Sequence, residues 1–293
     1  MTRTALILGP SGRFARHTAA ALSVAGWTLR RFDRRQDRLS DAAQGAALIV
    51  NGWNPPYPAW AAELPGLTAQ VIAAARASGA TVLQPANVYV YGKGAPARLG
   101  PDTPKAAQNP LGRLRVEMEA RLRDADIPVI LLRAGDFLDT AKSGNWFDSV
   151  IARPLAKGRL AYPGALDVPH AWAFLPDLGR AAAALADRRE TLERFAEVPF
   201  PGYTLTGAEL AAALGRALGR PVVAKPMAWW PLYLAAPVWP MARGLIEMRY
   251  LWDMPHRLDG AVLARLLPDR TDTPVEDALA QCAAVLTSTQ TSR

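Results

Sequence analysis

"LILGPSGRFA", residues 6–15, is an apolar run that breaks into glycine, proline and serine and resumes at helical spacing. It reads as strand, turn and helix. In such a unit the turn aims backbone N–H groups and the positive end of the helix dipole at an anion. Gly9 is expected to make the tight turn and Gly12 to let the backbone approach a pyrophosphate. Ala15 is small enough for close helix–strand packing. The spacing is G-x-x-G-x-x-A, and Ser11, Arg13 and Phe14 complete the expected phosphate lining.

Outward from this turn the alternation continues. The helical "RFARHTAAALSVAGW" (13–27) leads to "WTLRRF" (27–32), and "AALIVNGW" (46–53) supplies a third strand. "LPGLTAQVIAAARASGA" (64–80) is a helix expected to stop at Gly79, and "TVLQPANVYVYG" (81–92) is a strand running into a loop. A helix over about 110–125 and the strand "IPVILLRAGDFL" (127–138) follow. Strands alternating with helices predict an α/β chain, a Rossmann-type doubly wound parallel sheet covered on both faces. Asp33 falls 24 residues after Gly9, where a carboxylate can accept hydrogen bonds from a ribose 2′-hydroxyl. Arg13, Arg34 and Arg35 can instead pair with a 2′-phosphate. The arginines outnumber the carboxylate, so the reading leans slightly to NADP over NAD. Asn51, just after the third strand, is expected beside the adenosine half.

Beyond residue 140 the alternation weakens into a loop-rich stretch with Trp146, His170 and Trp172, as an inserted substrate lobe would look. The expected division is a dinucleotide-binding domain over 1–140, rejoined by a helix and strand within 173–200. A small C-terminal substrate lobe is expected over 141–172 and 201–293. Thr206 is a plausible cap for the helix in "TLTGAELAAALGRALG" (204–219). "PMAWWPLYLAAPVWPMA" (226–242) is apolar throughout, but Pro231, Pro237 and Pro240 interrupt it and it is short for a bilayer span. It is expected to pack over the substrate lobe; a membrane-surface or subunit contact is the alternative.

Bulk composition narrows the classes. Half of the 293 residues are hydrophobic and 20% are charged, as in globular proteins. The net charge of +8 comes from arginines scattered along an Ala-rich chain and seldom interleaved with aromatics, so no nucleic-acid partner is expected. Cys282 is the single cysteine, which rules out an intrachain disulfide, and three separated histidines argue against a metal site. The N-terminus lacks a charged region followed by an apolar one, so the chain is expected in a reducing cytoplasm.

With these segments in place, the chain resembles the extended and atypical short-chain dehydrogenase/reductase superfamily, in particular its NAD(P)-dependent epimerase/dehydratase branch. The likeness spans nearly the whole chain. "LILGPSGRFA" is similar to that branch's first turn, "ANVYVYG" (86–92) to its fourth-strand signature, and "NPLGRLRVEME" (109–119) to its active-site helix. "LLRAGDF" (131–137) is similar to the sixth strand and "AFLPDLGRA" (173–181) to a later segment with a buried Asp. The resemblance implies hydride chemistry on a small carbonyl or alcohol substrate, such as a nucleotide sugar. It also implies a proton-transferring Tyr, a Lys four residues later, and a Ser or Thr on the fourth strand. Here Leu111 stands at the Tyr position, Arg115 at the Lys position and Asn87 at the Ser/Thr position.

Leucine has no proton to give, and arginine holds a ribose or phosphate better than it shuttles protons. The catalytic candidates are therefore Asn87, Tyr91 and Arg115, with Tyr89 as an alternative at the strand end. Asn87 and Arg115 are also expected to hold the nicotinamide ribose, and Gly135 is counted with the coenzyme residues. Tyr89 and Lys93 repeat the Tyr-x-x-x-Lys spacing, but outside a helix that spacing does not bring them to one face. His170 and Asp177 flank a Trp-containing loop and offer a second proton-transfer route. Trp146, Trp172, Trp229 and Trp230 are available to stack on a flat ligand. The alternative to an enzyme is a dinucleotide sensor, or an assembly subunit, that has lost hydride chemistry.

Overall fold

A computed structural model describes residues 3–287 of the chain. Strand β1 (Thr4–Leu8) is buried along its whole length, and after the turn at 9–12 helix α1 (Arg13–Val24) begins at once. The chain continues through β2 (Thr28–Arg31), β3 (Leu48–Asn51), α2 (Trp60–Ser78), β4 (Thr81–Ala86), α3 (Pro110–Asp124) and β5 (Val129–Arg133). It then leaves the sheet to lay down β6 (Asp136–Leu138), β7 (Arg159–Tyr162) and β8 (His170–Phe174). Helix α4 (Leu175–Asp187) brings it back to β9 (Phe195–Pro199).

The central sheet is parallel, in the order β9-β5-β4-β3-β1-β2. Thr4 of β1 pairs with Thr28 of β2, and Ala5 pairs with Leu48 of β3. β1 therefore lies between its two successors in sequence, and strand order reverses across it. The crevice outside the carboxyl ends of β1 and β3 is the switch point at which such sheets take ligands.

Because side chains alternate along a strand, each strand feeds two cores. Ala5, Ile7, Leu48, Val50, Leu83, Ile130 and Leu132 face α1 and α4, meeting Leu22, Leu178, Ala182 and Leu185. Leu6, Leu8, Ile49, Val82, Val129 and Leu131 face α2 and α3, meeting Val71, Met118 and Leu122. This two-sided burial explains why the strands read as continuous apolar runs.

A third core forms the lobe. Phe147, Ile151, Leu160, Tyr162, Trp172, Leu210, Leu214 and Trp252 pack there with Leu279 and Cys282. β8 lies between β6, to which it is parallel, and β10 (Tyr203–Leu205), to which it is antiparallel. Helix α5 (Gly207–Leu218) starts with the expected cap: Glu209 N–H donates to Thr206 Oγ1 at 3.1 Å, and Thr206 N–H donates to the Glu209 carboxylate at 2.8 Å. β11 (Val223–Pro226) pairs with β7. The apolar segment breaks at its prolines into α6 (Trp230–Ala235) and α7 (Pro240–Glu247), and no described helix is long and apolar enough to cross a membrane.

Two differences from the sequence reading concern this lobe. "HAWAF" (170–174), read as loop, is a fully buried strand. Leu263 and Leu267 pack on the sheet face with α1 and α4, so the expected 201–293 lobe is interrupted by a segment belonging to the sheet's core. Residues 288–293 of that range lie outside the described residues.

Candidate functional site

The first turn is built for close approach. Gly9 adopts φ +61°, and a Cβ there would stand 3.0 Å from the Gly52 carbonyl oxygen. Gly12 N–H donates to the Gly9 carbonyl at 2.8 Å, and Gly12 is the N-cap of α1, with no side chain capping the helix. The first-turn N–H groups are thus left for a ligand. Ser11 is exposed, whereas the Phe14 ring is buried in the core, so only the backbone of Phe14 is offered to the turn. Arg13 Nε donates to the Ser143 carbonyl at 2.7 Å and ties the loop after β6 to this end of α1.

Beside the turn lies a cleft of about 570 Å³ whose lining includes Gly9, Asp33, Arg34, Arg35 and Trp53. Asp33 accepts the Arg35 backbone N–H at 2.9 Å and its own N–H donates to Asp37 at 2.8 Å, which fixes the turn after β2. The Arg34 guanidinium lies 5.9 Å from the centre of the Trp53 ring, which meets Phe32 edge-on. Asn51 is not free to serve a ligand with its amide: its Nδ2 donates to Gln84 at 2.7 Å and its Oδ1 accepts from Trp53 N–H. It stitches β3 to β4 and sets the loop that carries Trp53.

The carboxyl end of β4 turns sharply at Tyr89–Tyr91. Asn87 Oδ1 accepts the Tyr89 N–H at 3.0 Å, and the Asn87 carbonyl accepts from Arg133 Nη1 at 2.5 Å. Arg133 is fully buried and also binds both oxygens of Glu119, at 2.9 and 2.7 Å, and Glu197 at 2.8 Å. Lys105 reaches Glu197 at 3.0 Å, completing two cations against two carboxylates. The turn is therefore anchored from below by a neutral buried ionic cluster.

That anchoring sends the two tyrosines of "YVY" in different directions. Tyr91 is buried, donates its hydroxyl to the Gly100 carbonyl at 3.2 Å, and packs against Arg133 and Lys105. Tyr89 places its hydroxyl 2.5 Å from that of Tyr57, on the loop after β3. Trp60 stands beside both rings, and Arg115 lies 4.0 Å above Trp60. Arg115 Nη2 donates to Asn54 at 2.5 Å, while its buried Nε has no protein partner. Burial pulls the Arg115 guanidinium down to about 10 against the pull of the nearby tyrosines and Glu119. Burial pushes Tyr57 up to about 12, with Asp136 acting in the same direction, and holds Tyr89 well above the usual tyrosine value. Both hydroxyls are protonated at neutral pH.

Leu111 sits in the apolar cluster around Tyr91 and Leu99, and Lys93 is exposed. Gly135 serves packing, since a Cβ there would stand 2.1 Å from the Ala171 carbonyl oxygen of β8. His170 and Asp177 do not converge. His170 Nε2 is 2.7 Å from Asp136 and its ring stacks on Trp252, whereas Asp177 accepts from Thr273 N–H and its hydroxyl. His256 meets His170 edge-on, and burial together with His170 pulls it down to about 3. Trp146 and Trp229 pack with each other, and Trp146 and Trp172 pack with Trp252, inside the lobe; Trp230 is exposed. Among the described residues there is no cluster of metal ligands.

Sequence reasoning passed over Tyr57, Asn54, Trp60 and Asp136. Tyr57 and Asn54 lie in "NPPYPAW" (54–60), whose prolines mark a connection and whose only sign of function is a tyrosine in the loop that follows a parallel strand.

No family model matches the chain, and no curated protein matches it. Solved structures do. A UDP-glucuronic acid 4-epimerase from Bacillus cereus, in complex with UDP-glucuronic acid and NAD, aligns at TM-score 0.74 and 12% identity, covering 98% of this chain and 99% of that one. An NAD-dependent NDP-hexosamine 5,6-dehydratase involved in tunicamycin biosynthesis aligns at 0.73 and 16%, covering 98% of each chain. A nucleoside-diphosphate-sugar epimerase from Staphylococcus aureus aligns at 0.68 and 15%, covering 95% of this chain and 99% of that one. The coenzyme named with the first two is NAD, and the lean to NADP gains nothing from them. Over nearly its whole length, this chain has the Rossmann fold and carboxyl-end lobe of these nucleotide-sugar epimerases and dehydratases.

Proposed function

We propose that the protein binds a nicotinamide dinucleotide across the carboxyl end of the sheet and catalyses hydride transfer on a nucleotide sugar or a similar carbonyl or alcohol. The Tyr57–Tyr89 hydroxyl pair supplies the proton. The cradle fits the coenzyme: Gly9 and Gly12 leave no Cβ between backbone and ligand, and the uncapped start of α1 offers its N–H groups to a diphosphate. Asp33 and Arg34 border the cleft that would take the adenosine ribose. When bound, the dinucleotide supplies or accepts the hydride.

The observation that carries the reading is the 2.5 Å contact between the two hydroxyls. One O–H is used within the pair, so the pair has a single proton left to donate outward. Held protonated by burial, it is an acid at rest, suited to protonating a carbonyl oxygen as that carbon is reduced. Arg115, with its unpartnered Nε, braces the loop through Asn54 and holds positive charge beside the developing oxyanion. This assigns proton transfer to a position other than Leu111.

The test pairs binding with turnover. Nicotinamide fluorescence measures the affinity for NADH and NADPH, and NMR follows UDP-sugars for conversion. Tyr89→Phe is expected to leave coenzyme affinity within about twofold and to lower turnover by about 10² to 10⁴. Tight coenzyme binding by the wild type without conversion of any sugar nucleotide would favour the sensor, a reading to which the buried Leu111 also points.

A further inference from the structure

We infer that the face formed by α6, α7 and the turn between them docks on an anionic lipid surface. Trp230, Leu234, Val238 and Trp239 are 65%, 71%, 86% and 47% exposed, and Tyr233 is 49% exposed. Five large apolar side chains are thus turned to solvent within ten residues, while Trp229 beside them is buried in the lobe core. Single exposed hydrophobics are ordinary, but a contiguous set marks an interaction surface. The mixture of two tryptophans, a tyrosine and aliphatics suits the boundary between headgroups and acyl chains.

Charge selects the partner. From residue 226 to 246 the sequence contains no Asp or Glu, but it has Arg243, with Lys225 just before the segment and Arg249 just after it. Arg243 donates to the carbonyls of Ala236 and Pro237, and Arg249 donates to the Tyr233 hydroxyl, so two guanidiniums stand directly on the apolar element. Lys225 is exposed just before it. The first carboxylate after the segment, Glu247, is occupied by Asn109 and the Leu111 N–H. An apolar face framed by cations complements phosphate headgroups. The prolines that break the segment keep it from spanning, so the contact is peripheral.

Co-sedimentation of the full chain with sucrose-loaded vesicles tests this. Vesicles of 70% phosphatidylcholine and 30% phosphatidylglycerol are compared with pure phosphatidylcholine, each at 50 and 300 mM NaCl. Binding is expected to the anionic vesicles at low salt and to fall at high salt. The double substitution Trp230→Ser with Leu234→Ser, both at exposed positions, is expected to weaken partitioning at least tenfold without changing the far-UV spectrum. Lys225→Gln should cost about fivefold. No binding to the anionic vesicles, or equal binding by the double variant, overturns the inference. So does sedimentation equilibrium showing a dimer that the double variant dissociates, because the face would then be a contact between copies.

Discussion

Replacing Arg133 with methionine should destabilise the protein more than any surface change and should loosen the tyrosine turn. The guanidinium is fully buried and donates to Glu119, Glu197 and the Asn87 carbonyl. Removing it leaves two buried carboxylates facing one lysine, Lys105. Breaking a buried ion cluster by deleting one partner costs about 3–5 kcal/mol. The unfolding entropy of about 2.1 cal/mol/K per residue gives roughly 0.6 kcal/mol/K for a chain of 293 residues. Tm should therefore fall by about 5–8 °C in differential scanning calorimetry. Arg133→Lys should recover only part of this, since an ammonium cannot span both carboxylates and the carbonyl in one plane. Adding Glu119→Gln to the methionine variant should recover most of it, because Glu197 keeps its pair with Lys105 and no buried carboxylate is left without a cation. A loss below about 1 kcal/mol for Arg133→Met, or no recovery in the double variant, would refute this account of the cluster.

Other consequences follow for the site. With Tyr57 pushed up to about 12 and Tyr89 held well above its usual value, the acid is in its active form below those values and is lost as pH rises through them. Turnover should stay level from about pH 6 to 9, and a decline within that range would show that a group other than the tyrosine pair is the acid. Arg34→Ala should weaken NADPH by about tenfold to a hundredfold if Arg34 reads a 2′-phosphate, with NADH little changed, and equal losses by fluorescence titration would remove that role. Gly9→Ala forces a Cβ to 3.0 Å from the Gly52 carbonyl at φ +61° and should cost about 1–2 kcal/mol of stability and at least tenfold in coenzyme affinity, measured by calorimetry.

The legible features were those written in short-range pattern. Continuous apolar runs separated by amphipathic stretches led to the parallel sheet because strands covered on both faces have no polar side to alternate with. The cap at Thr206 is equally local, since both hydrogen bonds lie within four residues. The buried strand at 170–174 was not legible: its His and two alternating alanines resemble a connection until β6 and β10 are seen on either side.

The site divides in the same way. The glycine turn, Asp33 and Arg34 could be named from spacing, because a few consecutive residues and one βαβ unit define them. Tyr57 and Tyr89 are 32 residues apart and on different loops, and their hydroxyls meet only because β3 and β4 are neighbours in the sheet. Asn51, Gly135 and Tyr91 occupy plausible places in sequence, yet their side chains or backbones are already committed to Gln84, Ala171 and Gly100. Sequence by itself determined the strand–turn–helix grammar and the glycine turn before α1, which depend on backbone geometry over a few residues. Tertiary structure decided which polar groups are spent on the scaffold and which remain free for chemistry, because a hydrogen-bonding partner is chosen by distance in space.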